Sequence, residues 1–339
     1  FKCNPLLTHR HLGKKSVIQN IGHGDLVDTE DGKWYLIMLG TRPIDGITEL
    51  GRETFIAEVI WEDGWPVIGE DKDGDGVGEP VRKYRKPDLA SSGVFQPAES
   101  DEFNGNELGL QWQWHGVPSP YWYYTAPGKL RLYSVDQAEG WKNLGDTPNL
   151  LLQKTPADRF TATARISFVP NPQLKEKGEE CGLVLMGQDY AAIRLSDTPE
   201  GVKLQYLECR NALKGREEEV LYETVMDPKS LPVPYSSKYM SVTVPPVAPA
   251  AYTSTDVYVR LKVAPRERKG NVPDLTATFW YSIDGKKWTQ LQPSGTASGY
   301  SFTASAGKWI GAKFGFFCNR FASKNDSGWM EIDWIRVEE

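Results

Sequence analysis

The sequence predicts an all-β protein. Its apolar residues fall in short runs, many alternating with polar ones, and Gly, Pro, Asn or Asp punctuate the runs. Glycine (32) and proline (23) are plentiful enough to turn such a chain many times, and no stretch carries a sustained helical period. A length of 339 residues has room for one large domain or two ordinary ones.

The first unit spans residues 1–68. Val17-Ile18-Gln19 leads into the turn Gly22-His23-Gly24. Asp25 to Thr29 and Trp34 to Leu39 read as a hairpin joined at Asp31-Gly32. Phe55 to Trp61 is the next strand, and Trp65 to Ile68 follows the turn Asp63-Gly64. Together they predict one four-stranded antiparallel sheet. Such a sheet exposes two faces and is not stable alone.

Residues 69–98 change character. Glu70-Asp71-Lys72-Asp73-Gly74-Asp75-Gly76 is followed by Pro80, Pro87 and Pro97, with few apolar residues between. This stretch reads as a linker. Asp71, Asp73, Asp75 and Gly76 match the start of an EF-hand calcium loop, but its twelfth position, which should be Glu, is Arg82. A solvated acidic segment fits better than a metal loop.

The second unit spans residues 99–339. It opens at Asp101-Glu102-Phe103 and Gln111-Trp112-Gln113-Trp114. Strand patterns recur at Leu130–Tyr133, Phe160–Ile166, Cys181–Met186, Tyr190–Leu195, Val202–Leu207, Val257–Val263, Thr276–Ser282, Ala312–Phe317 and Met330–Val337. Alternation gives each strand one buried face, and the regular spacing predicts a two-sheet antiparallel sandwich. The Pro-rich piece from Asp227 to Thr255 reads as an insertion or long loop. The run Tyr121-Trp122-Tyr123-Tyr124 must turn some rings outward, where they could stack on sugar; core packing is the plainer role for any single aromatic.

Net charge of -6 and a pI near 5.5 give no bulk attraction for nucleic acid or anionic membrane. No apolar run approaches the ~20 residues that span a bilayer, and no signal-peptide pattern opens the printed sequence. The four cysteines (Cys3, Cys181, Cys209, Cys318) lack metal-ligand spacing; they read as buried thiols or as disulfide partners.

The segments Gly22-His23-Gly24-Asp25-Leu26-Val27, Gly32-Lys33-Trp34-Tyr35-Leu36-Ile37-Met38, Gly40-Thr41-Arg42-Pro43, Leu50-Gly51-Arg52-Glu53-Thr54-Phe55 and Trp61-Glu62-Asp63-Gly64-Trp65-Pro66 follow one another in order. Together with Asn4-Pro5-Leu6-Leu7-Thr8-His9-Arg10 they resemble the final blade of the five-bladed β-propeller of glycoside hydrolase family 43. That family contains β-xylosidases and α-L-arabinofuranosidases. Residues 99–339 resemble the concanavalin A-like, jelly-roll sandwich attached to many of its members.

The resemblance implies an inverting hydrolase of xylan-type oligosaccharides or polysaccharides. Inversion needs two carboxyl groups flanking the scissile bond with a water between. The resemblance puts the base, the acid and a pKa-tuning Asp on earlier blades, so no catalytic carboxylate is expected in this chain. Asp25, Glu53, Glu62 and Asp63 are assigned no such role. The propeller blades that would carry the catalytic groups become an expected partner, on the same or a separate polypeptide.

By the same resemblance Arg52 points into the sugar pocket, where a guanidinium offers a fixed fork of donors. Arg42 is expected to be structural. His23 is expected at the propeller axis, meeting a hydrated calcium through water, since imidazole suits a hard cation poorly. Glu102 and Asp333 are placed to hold a structural calcium between the first and last strands of the sandwich. A sandwich loop ahead of Gly311 is expected to cap the pocket with an aromatic, Phe302 or Trp309. The remaining expectation is a sandwich that binds glycan itself or only buttresses the blade.

Overall fold

The computed structural model describes residues 4–44, 46–72, 74–91, 93–94, 96, 98–172, 178–230, 252–268, 271–307, 310–321 and 327–339. The fold is β throughout, with short 3-10 turns at Arg10–Lys15, Leu144–Asp146 and Ala212–Lys214.

Strands β1 (Gln19–Asp28), β2 (Trp34–Thr41), β3 (Glu53–Glu62) and β4 (Trp65–Ile68) form one antiparallel sheet in meander order. Asp63 and Gly64 both take positive φ, 49° and 74°, as the tight turn from β3 to β4 demands. Edge strand β1 shifts register between Gln19 and Gly22 and again between Gly22 and Asp25. His23, at φ 55°, sits in this bulge and is exposed.

The sequence Trp34-Tyr35-Leu36-Ile37-Met38-Leu39 in β2 does not alternate. A strand of that kind is built for burial on both faces. One face has its cover: Met38, Ala57, Val59 and Ile68 pack with Leu6, Leu7 and Leu36. On the other, Val27 lies opposite the buried Tyr35, and Ile37 lies opposite Ile56. There Val27, Ile56 and Ile60 are exposed, Ile60 to 55%.

The beginning of the segment expected to be a linker is instead folded back onto the blade. Leu7 bridges Gly78, and Glu70 bridges Glu79. A Cβ on Gly78 would lie 1.5 Å from the Ile68 carbonyl, so the chain returns here at a distance closed to any side chain. Glu79 is buried, accepting from His11 Nε2 at 2.7 Å and pairing with Lys72 at 3.3 Å. Tyr84 lies beside Glu58 and Tyr35. The acidic loop is closed by its own backbone: the Asp71 carboxylate accepts from the amides of Gly74, Asp75 and Gly76 at 2.8–3.2 Å. Asp73 lies outside the described residues.

The second unit contributes, in chain order, β5 (Gln113–Trp114), β6 (Tyr123–Ala126), β7 (Lys129–Tyr133), β8 (Val135–Asp136), β9 (Leu151–Lys154), β10 (Phe160–Val169), β11 (Glu179–Met186), β12 (Tyr190–Thr198) and β13 (Gly201–Cys209). It continues with β14 (Glu219–Val225), β15 (Lys229–Ser230), β16 (Thr253–Arg268), β17 (Asn271–Ser282), β18 (Thr289–Leu291), β19 (Phe302–Thr303), β20 (Lys313–Arg320) and β21 (Trp329–Glu338). Among the described residues one sheet has nine strands, seven along the path β18-β17-β16-β10-β21-β7-β6 with β15 beside β16 and β19 beside β17; the other has eight, seven along β14-β13-β12-β11-β20-β9-β5 with β8 beside β20. Residues 231–251 of the Pro-rich piece lie outside the described residues.

Alternation decides the packing. Ala162, Ala164 and Ile166 of β10 meet Leu183 and Leu185 of β11 and Phe314 and Phe316 of β20 in one core between the sheets. The alternate residues Val184, Met186 and Phe317 turn to the outer side of the eight-stranded sheet. There the two later 3-10 turns cover them through Leu144 and Ala212.

Candidate functional site

Arg52 follows a tight turn between β2 and β3. Gly51 donates to the Thr48 carbonyl at 3.0 Å and takes φ +84°, which turns the chain into β3. The same turn meets the sandwich. A Cβ on Gly51 would lie 2.6 Å from the Ile310 carbonyl, and one on Gly311 2.4 Å from the Glu49 carbonyl. The Ala312 amide donates to Glu49 O at 2.5 Å, and Lys154 Nζ donates to Arg52 O at 3.0 Å. Ile47, just before the turn, is 1% exposed and belongs to the sandwich core. The motif's glycine therefore serves the seam between the two units, and the arginine beside it is set in place by that seam.

The half-buried Arg52 lines a cavity of about 670 Å³ with His9, Arg10, Asn20, Gly22 and the Asn4-Pro5 segment. His9 is in this wall, and its Nε2 takes the Asn20 amide at 3.4 Å. Desolvation first, then the charges of Arg10 and His11, holds the His9 imidazole below its ordinary pKa. No Asp or Glu lines the cavity among the described residues. Glu53, next to Arg52 in sequence, is engaged elsewhere. It accepts both arms of Arg42, at 2.7 and 2.6 Å, and that guanidinium holds the carboxyl below its usual range. A wall with guanidinium groups and an imidazole can grip sugar hydroxyls and favour the ionised form of a nearby carboxylate. It cannot by itself supply an acid and a base.

Phe302 is not a cap for this cavity. It is 0% exposed in the sandwich core, with the Arg210 guanidinium 4.4 Å from its ring centroid. The alternation that pairs Phe302 with Ala277 turns it inward. Trp309 lies outside the described residues. Of its described neighbours, Gly307 bridges Gly311, and Ile310 and Gly311 rest on the Gly51 turn.

The expected calcium pair is also corrected. Glu102 is bound by Arg336, at 2.7 Å to Nε, and Asp333 is bound by Arg165. Two carboxylates, each neutralised by a different guanidinium, do not make a donor set for a hard cation. Among the described residues no three His, Cys, Asp or Glu side chains converge to hold a metal. Trp112 is buried against Phe103 and Phe316, while Trp114 packs on Trp122 and Tyr123; Tyr121 and Tyr124 face out. No helix among the described residues is long and apolar enough to cross a membrane.

Sequence reasoning missed Lys154 and His9. Lys154 acts through a backbone carbonyl, which leaves no motif. His9 stands within the segment Asn4 to Arg10 without a role assigned to it, and only the fold brings it beside Arg52.

A single propeller-type sheet that presents an arginine to a polar cavity is thus clamped to a two-sheet β-sandwich. The chain belongs to glycosyl hydrolases family 43: residues 2–66 match that family, and residues 100–338 match the β-xylosidase C-terminal concanavalin A-like domain. It is 36% identical over 190 residues to the non-reducing end alpha-L-arabinofuranosidase BoGH43B of Bacteroides ovatus, covering 55% of this chain and 33% of that protein. It is 28% identical over 335 residues to a beta-xylosidase of Formosa agariphila, covering 96% of this chain and 50% of that protein. The crystal structure of the GH43 BlXynB protein from Bacillus licheniformis superposes with a TM-score of 0.64 at 23% identity, over 99% of this chain and 56% of that one. The chain thus spans half or less of the length of these curated relatives.

Proposed function

We propose that this chain is the C-terminal part of an inverting exo-glycosidase that releases xylose or arabinose from xylan-type material. Its acid and base would be carried by propeller blades upstream of Gln19, on the same or a separate polypeptide. The observation that carries this reading is the wall around Arg52, where Arg10, Arg52 and His9 meet without a carboxylate pair among the described residues. The uncovered apolar face of β1, β2 and β3 supports the same reading, since neighbouring blades would bury it. The relatives' names, beta-xylosidase and arabinofuranosidase, support the substrate class. On this reading His23 faces the propeller axis and meets a hydrated calcium there only through water.

The test is an assay on p-nitrophenyl β-D-xylopyranoside and α-L-arabinofuranoside. The 339-residue chain alone should be inert. The chain joined to its upstream blades should turn over, and NMR should show a product of inverted anomeric configuration. Native-rate turnover by the chain alone would end the proposal.

A second reading, glycan binding by the sandwich itself, is favoured by Tyr121 and Tyr124, which are 85% and 58% exposed. Affinity electrophoresis on xylan decides it: retardation that disappears in Tyr121→Ala and Tyr124→Ala supports it, and unretarded wild-type protein removes it.

A further inference from the structure

Cys181 and Cys318 are direct partners across the β11–β20 pairing. The neighbouring same-side pairs are Leu183 with Phe316 and Leu185 with Phe314. All six side chains lie in the core between the sheets, so both thiols point inward. Opposed residues of an antiparallel pair have Cα atoms about 4.5–5.5 Å apart, inside the span of about 4.4–6.8 Å that a disulfide bridges. Both cysteines are free thiols here.

The fold also excludes the described competitor. Cys209 ends β13, two strands from β11, and its side chain lies on the outer side of the sheet with Leu144 and Ala212. Cys3 lies outside the described residues.

We propose that Cys181 and Cys318 close a disulfide that staples β11 to β20 when the chain folds under oxidising conditions. The oxidant is a small disulfide such as oxidised glutathione. One cysteine thiolate attacks it, forming a mixed disulfide and releasing one glutathione thiolate. The second cysteine thiolate attacks the protein sulfur of that mixed disulfide and releases the second glutathione. Two protein thiols lose two protons and two electrons, and one glutathione disulfide becomes two glutathione thiols. In the finished fold the two residues are 0% and 1% exposed, and burial with the neighbouring Cys318 pushes the Cys181 thiol well up. The exchange therefore belongs to the folding chain, before β20 closes on β11. The bond would join strands far apart in sequence, and so restrict the unfolded chain strongly.

The whole 339-residue chain is produced once by export to an oxidising compartment and once in a reducing cytosol. Each preparation is denatured, alkylated with N-ethylmaleimide, weighed and peptide-mapped without reduction. The expected result is two maleimide adducts from the oxidising preparation and four from the reducing one. A peptide pair linked through Cys181 and Cys318 should appear only in the first. Its thermal midpoint should stand above that of the reduced protein by roughly 5 °C or more. Cys209→Ala should keep that rise, and Cys318→Ala should lose it. Four adducts from the oxidising preparation, or a link through Cys3 or Cys209 instead, overturns the proposal; this count on the wild-type chain does not depend on any variant folding.

Discussion

Lys154 of the sandwich donates from Nζ to the backbone carbonyl of Arg52 on the blade, across 3.0 Å. The contact fixes the entry of β3 where the pocket arginine leaves the main chain. Lys154→Met removes the donor and keeps the aliphatic stem. On the proposed function, in the chain joined to upstream blades, it should raise KM about threefold to tenfold, the effect of one charge-assisted hydrogen bond, with little change in thermal midpoint. A fall in midpoint with unchanged KM would make the contact merely structural.

Arg52→Ala should act more strongly. In the joined enzyme, kcat/KM for either p-nitrophenyl glycoside should fall about 10²–10³-fold, the range for losing a positioned charged donor. Arg52→Lys should recover little, since an ammonium lacks the planar fork. Unchanged kinetics in Arg52→Ala would remove this residue from the sugar site.

The glycines of the seam should be far less tolerant than those of free turns. Gly51→Ala and Gly311→Ala force a Cβ to within 2.6 and 2.4 Å of backbone carbonyls at positive φ. Each should cost about 2 kcal/mol or more and speed protease cleavage between blade and sandwich. Gly32→Ala meets nothing within 4 Å at φ +77° and should cost only about 1 kcal/mol, the backbone term alone. Equal costs at Gly51 and Gly32 would contradict the close approach seen at the seam.

Ile47 is a blade residue buried in the sandwich core. Ile47→Ala should destabilise by about 2–4 kcal/mol, read by denaturant unfolding, as a cavity in that core requires. A cost below 1 kcal/mol would mean that the tether contributes nothing to the joint.

The pH dependence of stability should carry the mark of Glu218. Burial, then the neighbouring Glu180 charge, pushes its carboxyl up to about 7. Asp197 is pushed to about 6 by burial and then Glu179. Both acids hold their protons more tightly folded than unfolded. Their contribution is complete below the ordinary carboxylate range and is lost as pH rises through about 6–7. The thermal midpoint should therefore decline from pH 5 to pH 8, and Glu218→Gln should flatten that decline. A midpoint that rises across the same interval would reverse the assigned sign.

Much of this protein could be read from its residues. The unbroken apolar run of β2 announced a strand meant for burial on both sides, and the alternation in β10 and β11 announced a sandwich. These features are local, because strand periodicity repeats every two residues. Arg52 was singled out differently, by the resemblance that Leu50-Gly51-Arg52-Glu53 carries.

Tertiary structure decided the rest. It turned Phe302 into the core, gave Glu102 and Asp333 to Arg336 and Arg165, brought Gly78 and Glu79 back onto Leu7 and Glu70, and brought His9 to the side of Arg52. The sequence alone established the strands, their inward faces and the family, because these follow from patterns of neighbouring residues. Which carboxylate meets which guanidinium, and which thiol faces which, depends on strand register between segments far apart in the chain, and only the folded sheets set that register.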